Sequence, residues 1–260
     1  MKKMLSLILA LVLALTCFTA CGAKAPDTDL AAVKANKKII VGITEYAPMD
    51  FKDENGEWTG FDAEFAQLFA EELGVECEFY VIADWGKKFL ELDTKMIDAV
   101  WNGMTITEEA LLNASVSDPY VINAQVVVMK ADVLADYPDA DSMKDLIFAV
   151  ENGSAGQDAA IGIGAENIVP VQDQAAALME VAAGTSDACV IDITMANAMT
   201  GEGTSYADLT YEVALTSEEY GVAFRKDSDL TAAFNTFMDK IVADGTLQAL
   251  ADKYSLTLAE

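Results

Sequence analysis

Residues 61–74 read FDAEFAQLFAEELG, in which apolar side chains recur every four residues. The repeating apolar positions are Phe61, Phe65, Phe69 and Leu73. This spacing predicts an amphipathic helix with an acidic first turn that ends at Gly74. The apolar run KIIVGI at residues 38–43 precedes the helix, and residues 75–82 follow it as a second strand-like stretch. A strand, a helix and a strand of these lengths predict an α/β fold with largely parallel sheets.

The same alternation continues along the rest of the chain. The patterns predict further strands at residues 97–101, 146–150, 188–192 and 219–224, and helices at residues 86–92, 173–183, 230–243 and 247–254. Residues 124–130 (AQVVVMK) lie between the two halves and predict a strand long enough to cross from one lobe to another. The length is sufficient for one large domain or for two lobes.

The composition excludes several classes of protein. The chain has 260 residues, and its 43 Asp and Glu outnumber its 16 Lys and Arg, which gives a net charge of −27. Such a surface repels phosphate, so nucleic acid is excluded as a partner. The chain contains no His, which excludes imidazole metal sites and His-based catalytic triads, and no metal or cofactor is expected. Cys77 and Cys189 each lie in an apolar stretch and are interpreted as core residues rather than as a disulfide.

The N-terminal segment predicts export from the cytoplasm. Lys2 and Lys3 precede an apolar stretch at residues 4–20, and residues 18–21 (FTAC) resemble a bacterial lipobox. We therefore expect a signal peptide at residues 1–20, a lipidated Cys21 and a flexible tether over residues 21–36. The protein would then be anchored by lipid to the cell membrane on its extracytoplasmic face. The alternative is a membrane-spanning helix, for which this stretch is at the short limit.

Several motifs resemble those of a known family. Residues 60–65 (GFDAEF) are similar to the Gly-Phe-Asp-x-Asp/Glu-aliphatic signature of the family 3 extracellular solute-binding proteins, the amino-acid receptors of ABC importers. Further stretches resemble family elements in the same order, at residues 46–51, 84–85, 98–107, 117–120 and 184–188 with Asp192. The resemblance extends over residues 38–257, which is nearly all of the chain after its signal and tether.

The resemblance implies a two-lobed periplasmic-binding-protein-like fold of type II, with two crossing strands as the hinge. Lobe 1 is expected at residues 37–127 and 221–260, and lobe 2 at residues 128–220. The implied function is capture of a small polar solute, an amino acid or a related amine, for delivery to the transmembrane subunits of an ABC permease. A monomer without enzymatic activity is expected. The alternative is an enzyme on the same fold, such as a lyase similar to cyclohexadienyl dehydratase.

The resemblance also implies a set of ligand-binding residues. They are Tyr46, Trp85, Asn102, Gly103, Thr105, Ser154 and Asp192. Tyr46 and Trp85 come directly after strands and could sandwich a ligand, although both could instead belong to the core. Thr105 and Ser154 offer hydroxyl groups near helix starts, where a carboxylate binds readily, although Ser154 could be only a helix cap. Asp192 ends a buried strand and would receive an ammonium group, and Glu151 is a weaker candidate.

One position departs from the family pattern. Ala110 stands where the family usually has an Arg that binds the α-carboxylate of the ligand through two hydrogen bonds, and the only Arg of the chain is Arg225. A methyl group cannot replace that interaction. The hydroxyl and N–H groups near Thr105 and Ser154 remain as carboxylate donors, and the surrounding acidic residues favour a ligand that bears an amine.

Overall fold

The computed structural model describes residues 28–259. The helices are α1 (Asp29–Asn36), α2 (Phe61–Leu73), α3 (Lys88–Asp93), α4 (Glu108–Asn113), α5 (Ala155–Gly162), α6 (Gln174–Ala183), α7 (Ile193–Met199), α8 (Leu230–Ala243) and α9 (Thr246–Tyr254). The strands are β1 (Lys38–Ile43), β2 (Phe51–Lys52), β3 (Trp58–Thr59), β4 (Glu76–Val81), β5 (Ala99–Val100), β6 (Ser115–Val116), β7 (Val121–Asn123), β8 (Gln125–Lys130), β9 (Ile147–Glu151), β10 (Asn167–Val171), β11 (Ala188–Asp192), β12 (Leu209–Ala214), β13 (Glu218–Tyr220) and β14 (Ala223–Phe224). Within these residues, no helix combines the length and the apolar character needed to cross a bilayer.

The first sheet has the strand order β4-β1-β5-β14-β6. β1 runs parallel to β4 and β5, whereas β14 is antiparallel to both of its neighbours. Helix α2 packs Phe61, Phe65 and Phe69 fully into the core, as their four-residue spacing predicts. The ring of Phe65 lies 4.9 Å from that of Trp101, which in turn contacts Phe234 of α8. The apolar face of α2 therefore forms the centre of the core in this half of the molecule.

The second sheet has the order β10-β9-β11-β8-β12. Strands β10, β9 and β11 are parallel, β8 is antiparallel to β11, and β12 is antiparallel to β8 and so runs in the same direction as β11. The prediction of an α/β fold is thus confirmed, and the two sheets form the predicted two-lobed arrangement. The prediction of largely parallel sheets is confirmed as well, because one strand in each five-stranded sheet, β14 in the first and β8 in the second, runs against the other four.

Two segments connect the sheets. The chain leaves the first sheet through β7 and continues into β8 with only Ala124 between them, and it returns through β13 to β14. β7 and β13 pair with each other as antiparallel strands. The predicted lobe boundary between residues 127 and 128 lies inside β8, which pairs entirely within the second sheet. The lobe bounds and the hinge role of these crossing strands stay predictions.

The predicted tether is too long at its C-terminal end. Residues 29–36 form α1, whose N-terminal cap is the side chain of Thr28. Helix α1 is fixed to the first lobe, because Asp29 forms a salt bridge of 3.0 Å with Arg225 and the N–H of Leu30 donates to Asp229. The signal peptide and the predicted lipidation site Cys21 lie outside the described residues. Cys189 is buried and Cys77 is half-buried, and both thiols are free.

Candidate functional site

A cleft of about 480 Å³, its open mouth included, lies between the two sheets. In the first lobe, Trp85 follows β4 and Asn102 follows β5. On the opposite wall, Gly153 follows β9 and Asp192 ends β11. The carboxyl ends of strands are where open α/β sheets bind ligands. Six of the seven predicted site residues line this cleft: Trp85, Asn102, Gly103, Thr105, Ser154 and Asp192.

Asp192 is held by amide groups from three directions and is only 3% exposed. The side-chain amides of Asn123 and Gln125 donate to its Oδ1, the second over 2.7 Å, and the amide of Gln174 donates to its Oδ2. Burial, and then repulsion from Glu218, raises the pKa of Asp192 to about 6. Asp192 is therefore a fixed carboxylate near neutral pH, oriented before any ligand arrives.

Glu151 lies beside Asp192 on the same wall. It is 3% exposed, and its Oε1 has no hydrogen-bond partner among the described residues. Burial is the main cause that raises the pKa of Glu151 well above its usual value, and repulsion from Asp192 adds to it. A buried carboxyl group without a partner is costly, and a ligand cation would satisfy it. Glu151, the weaker candidate in the sequence, is therefore as buried as Asp192 and lines the same cleft.

Trp85 and Lys88 form the opposite corner of the cleft. The Nζ of Lys88 lies 5.0 Å from the ring centroid of Trp85 and 4.9 Å from that of Phe89. The same Nζ donates to the main-chain oxygen of Gly153 over 3.0 Å, which is a contact across the cleft. Burial lowers the pKa of Lys88, and the charges of Glu109 and Glu151 oppose this shift.

A second contact across the cleft joins the rims of the two lobes. The side-chain amide of Asn152 donates to Oδ1 of Asp84 over 3.0 Å. Gly86 and Gly153 face each other so closely that a Cβ on Gly153 would lie 2.5 Å from the Cα of Gly86. The lobes are therefore closed on each other in this conformation.

The polar residues after β5 mostly have partners within the protein. Asn102 exchanges two hydrogen bonds with Thr44, of 2.8 and 2.7 Å. Gly103 has a φ of +56°, and its N–H donates to the buried Asp62 over 2.6 Å. The hydroxyl of Thr105 donates to Glu218 over 2.8 Å. These bonds fix the shape of the cleft wall and leave main-chain groups rather than free side chains to contact a ligand.

Ser154 has the role that the sequence left open as an alternative. Its hydroxyl accepts a hydrogen bond of 3.2 Å from the N–H of Gln157 and so caps α5. It also lines the cleft, where the first turn of α5 begins. The hydroxyl itself is therefore a helix cap, and the start of the helix is what borders the cleft.

Tyr46 has the position that the sequence left open as an alternative, that of a core residue. Tyr46 is 2% exposed and does not line the cleft. Its hydroxyl forms hydrogen bonds with those of Thr194 and Tyr220, and its ring lies directly beneath Gly103. Tyr46 therefore supports the cleft floor from within the core, whereas Trp85 lines the cleft.

Five cleft residues with charged or amide side chains were not predicted from the sequence. They are Lys88, Glu109, Gln125, Asp158 and Gln174. Lys88 could have been predicted as a cleft residue, because it lies three residues after Trp85 and residues at this spacing share a helical face. Gln125 and Gln174 belong to no motif and reach Asp192 only through the packing of β8 and α6 against β11.

Neither Ala110 nor Arg225 lines the cleft. Ala110 is 1% exposed and belongs to an apolar cluster that includes Trp85 and Phe89. Arg225 donates to Asp29, to Asp98 and to main-chain oxygens at the far side of the first sheet. The cleft therefore contains no Arg, and among the described residues that line it Lys88 is the only cation.

Comparison with known proteins gives consistent matches over most of the chain. The sequence profile of the bacterial extracellular solute-binding proteins, family 3, matches residues 39–257. The L-cystine-binding protein TcyJ of Escherichia coli strain K12 is 30% identical over 86% of this chain and 85% of its own. The arginine-binding extracellular protein ArtP of Bacillus subtilis strain 168 is 30% identical over 98% of both chains. A crystal structure of the ancestral amino acid-binding protein AncCDT-1, a precursor of cyclohexadienyl dehydratase, matches with a TM-score of 0.80 and 30% identity over 87% of this chain and 99% of that one.

Proposed function

The chain belongs to the bacterial extracellular solute-binding proteins, family 3, and from this premise we propose that it binds an amino acid or related amine with a cationic group. Its relatives are amino-acid-binding proteins, and they include one of an ABC transporter. Capture therefore takes place outside the cytoplasm, and the solute is passed to the transmembrane subunits of an ABC permease. A monomer is sufficient for this task, because residues of one chain supply both walls of the cleft.

The observation that carries this proposal is the pair of buried acids Asp192 and Glu151 at the end of the second sheet. Asp192 is oriented by three amide donors, and Glu151 has a carboxyl oxygen without a partner among the described residues. An ammonium group between them would form charge-assisted hydrogen bonds with both. Such a site selects amines over neutral sugars and over anions.

The charge of the whole cleft supports the same class of solute. Four acidic side chains line it, against the single ammonium of Lys88: Glu109, Glu151, Asp158 and Asp192. A cleft with an excess of one charge concentrates the opposite charge from solution. Basic amino acids and their amines therefore fit this cleft better than acidic amino acids do.

Thermal unfolding of the mature domain, with and without solutes, tests the proposed function. The panel is the twenty common amino acids, ornithine, cystine and their decarboxylated amines. A solute at 100 times its dissociation constant should stabilise the folded protein by about 2.7 kcal/mol. We expect stabilisation by at least one cationic member and none by aspartate or glutamate. If no member stabilises the protein, the proposed solute class is wrong.

An enzymatic function is the second candidate, since the ancestral protein AncCDT-1 is a precursor of cyclohexadienyl dehydratase. We propose that this chain is a binding protein only, because its curated relatives are binding proteins. Incubation with prephenate and with arogenate should leave both compounds unchanged over hours. Release of phenylpyruvate or phenylalanine at a rate above that of a Glu151→Gln variant would overturn this assignment.

The membrane anchor is proposed from the sequence FTAC at residues 18–21. Cys21→Ser should prevent lipidation and move the protein from the membrane fraction to the soluble extracytoplasmic fraction, because its acyl chains are the only proposed membrane contact. Fractionation followed by immunoblotting measures the change, with Cys17→Ser as the matched control. Membrane retention of the Cys21→Ser protein would contradict the anchor.

A further inference from the structure

We propose that Lys88 binds the carboxylate of the solute, in place of the Arg that the family pattern would put at position 110. The inference rests on the proposed function, because it names the residue that holds the second end of an amino acid whose ammonium group lies at Asp192 and Glu151.

Lys88 carries a buried charge without a counter-ion. It is 6% exposed, and its Nζ donates only to the main-chain oxygens of Gly153, over 3.0 Å, and Trp85, over 3.4 Å. Within residues 28–259, no carboxylate oxygen lies within 4.0 Å of this Nζ. Burying an ammonium group without an anion is costly, so a carboxylate in the cleft would supply a partner that the protein does not provide.

The position of Lys88 corresponds to the corner where position 110 would deliver its cation. The first turn of α4 reaches the cleft through Thr107 and Glu109, next to Lys88. Ala110 belongs to the same apolar cluster as Trp85 and Phe89, whose rings hold the Lys88 ammonium. The positive charge that is missing from α4 is thus present in the same corner, but it comes from α3.

The opposite wall offers donors to the same anion. Gly153, Ser154 and Ala155 line the cleft where α5 begins. The first N–H groups of a helix have no acceptor within the helix and favour an anion. A carboxylate between Lys88 and this turn would contact both lobes and would replace the bond from Lys88 to the Gly153 carbonyl by a charge-assisted one.

A lysine at this place also predicts a broader range of anions than an arginine would accept. Arg presents two parallel N–H groups that match a planar carboxylate, whereas Lys presents a single point charge. Lys88 should therefore recognise the negative charge of the ligand group, whether or not that group is planar.

The experiment compares amino acids with amines that lack only the carboxylate. The probes are arginine with agmatine, lysine with cadaverine, ornithine with putrescine, histidine with histamine and cystine with cystamine. Dissociation constants are measured by calorimetry for the parent protein, Lys88→Met, Lys88→Arg, and Lys88→Met combined with Ala110→Arg. Lys87→Met is the matched control, because Lys87 is exposed and paired with Asp84 on the surface. Thermal unfolding without solute checks that each variant is folded.

Lys88→Met should weaken the amino acid at least about 30-fold and change its amine by less than about threefold. Lys88→Arg should stay within about tenfold of the parent, and adding Ala110→Arg to Lys88→Met should recover at least tenfold of the loss. Equal losses for amino acid and amine, or no loss for either, would overturn the role of Lys88 while solute binding itself stands. If the amino acid binds measurably but its amine does not, the two cannot be compared. In that case, failure of the Lys88→Met, Ala110→Arg protein to recover affinity overturns the role of Lys88. If no probe binds the parent, the proposed function fails, and this inference with it.

Discussion

Asp192→Asn is expected to weaken the binding of a cationic amino acid or amine by about 2–5 kcal/mol. The solute ammonium would lose its charged partner at a buried position of the cleft. The three amides of Asn123, Gln125 and Gln174 would then meet an amide with one acceptor oxygen instead of a carboxylate with two. Calorimetry with the solute that stabilises the parent protein most measures the loss.

The matched control for this variant is Asp158→Asn. Asp158 lines the same cleft but is exposed, so the variant removes the same charge without removing a buried partner. We expect a loss of no more than about threefold there, because exposed charges are screened. Equal losses for the two variants would mean that the field of the cleft, and not Asp192 itself, binds the cation.

The affinity for the cation should also depend on pH. Burial raises the pKa of Asp192 to about 6, so the carboxyl group is mostly ionised at pH 7 and mostly protonated at pH 5. Only the ionised form attracts an ammonium group, and the affinity should fall about tenfold as the pH falls from 7 to 5. The Asp192→Asn protein should lose most of this dependence. A parent affinity that is constant over this range would contradict the role of Asp192.

Gly153→Ala is expected to prevent closure of the lobes and to weaken solute binding by about tenfold or more. The new Cβ would lie 2.5 Å from the Cα and 3.0 Å from the N of Gly86 in the other lobe. Both are main-chain atoms that cannot rotate away, so the lobes would have to separate. The parent protein should show a smaller radius of gyration in solution scattering when saturated with solute, through rotation about the crossing strands. The variant should show little or no decrease.

Gly164→Ala is the control for backbone strain. Gly164 has a φ of +82°, close to the +71° of Gly153, and belongs to the same lobe. A Cβ there would approach only the Lys144 side chain, at 3.8 Å. Both variants should lose about 1 kcal/mol of folding stability from the left-handed conformation, while only Gly153→Ala should block compaction. Normal compaction of the Gly153→Ala protein would show that the two lobes do not close through this contact.

The sequence by itself determined the longest strands and helices and part of the cleft walls. The four-residue spacing of Phe61, Phe65 and Phe69 fixes the buried face of α2, because helical periodicity is a local property of the chain. Asp192 could be identified for a similar reason. A lone carboxylate at the end of an apolar strand lies where the carboxyl ends of the strands meet, and ligands bind there in this architecture.

Only the tertiary structure decided which side chains face the solute. Tyr46 and Trp85 both follow strands, yet Tyr46 enters the core while Trp85 lines the cleft, because the direction of a side chain after a strand depends on what packs against it. The amides that hold Asp192 come from β7, β8 and α6, which are 69, 67 and 18 residues away in sequence. In the sequence, Lys87 and Lys88 are two adjacent lysines. Only the packing of the folded chain exposes Lys87 to solvent and buries Lys88 in the cleft.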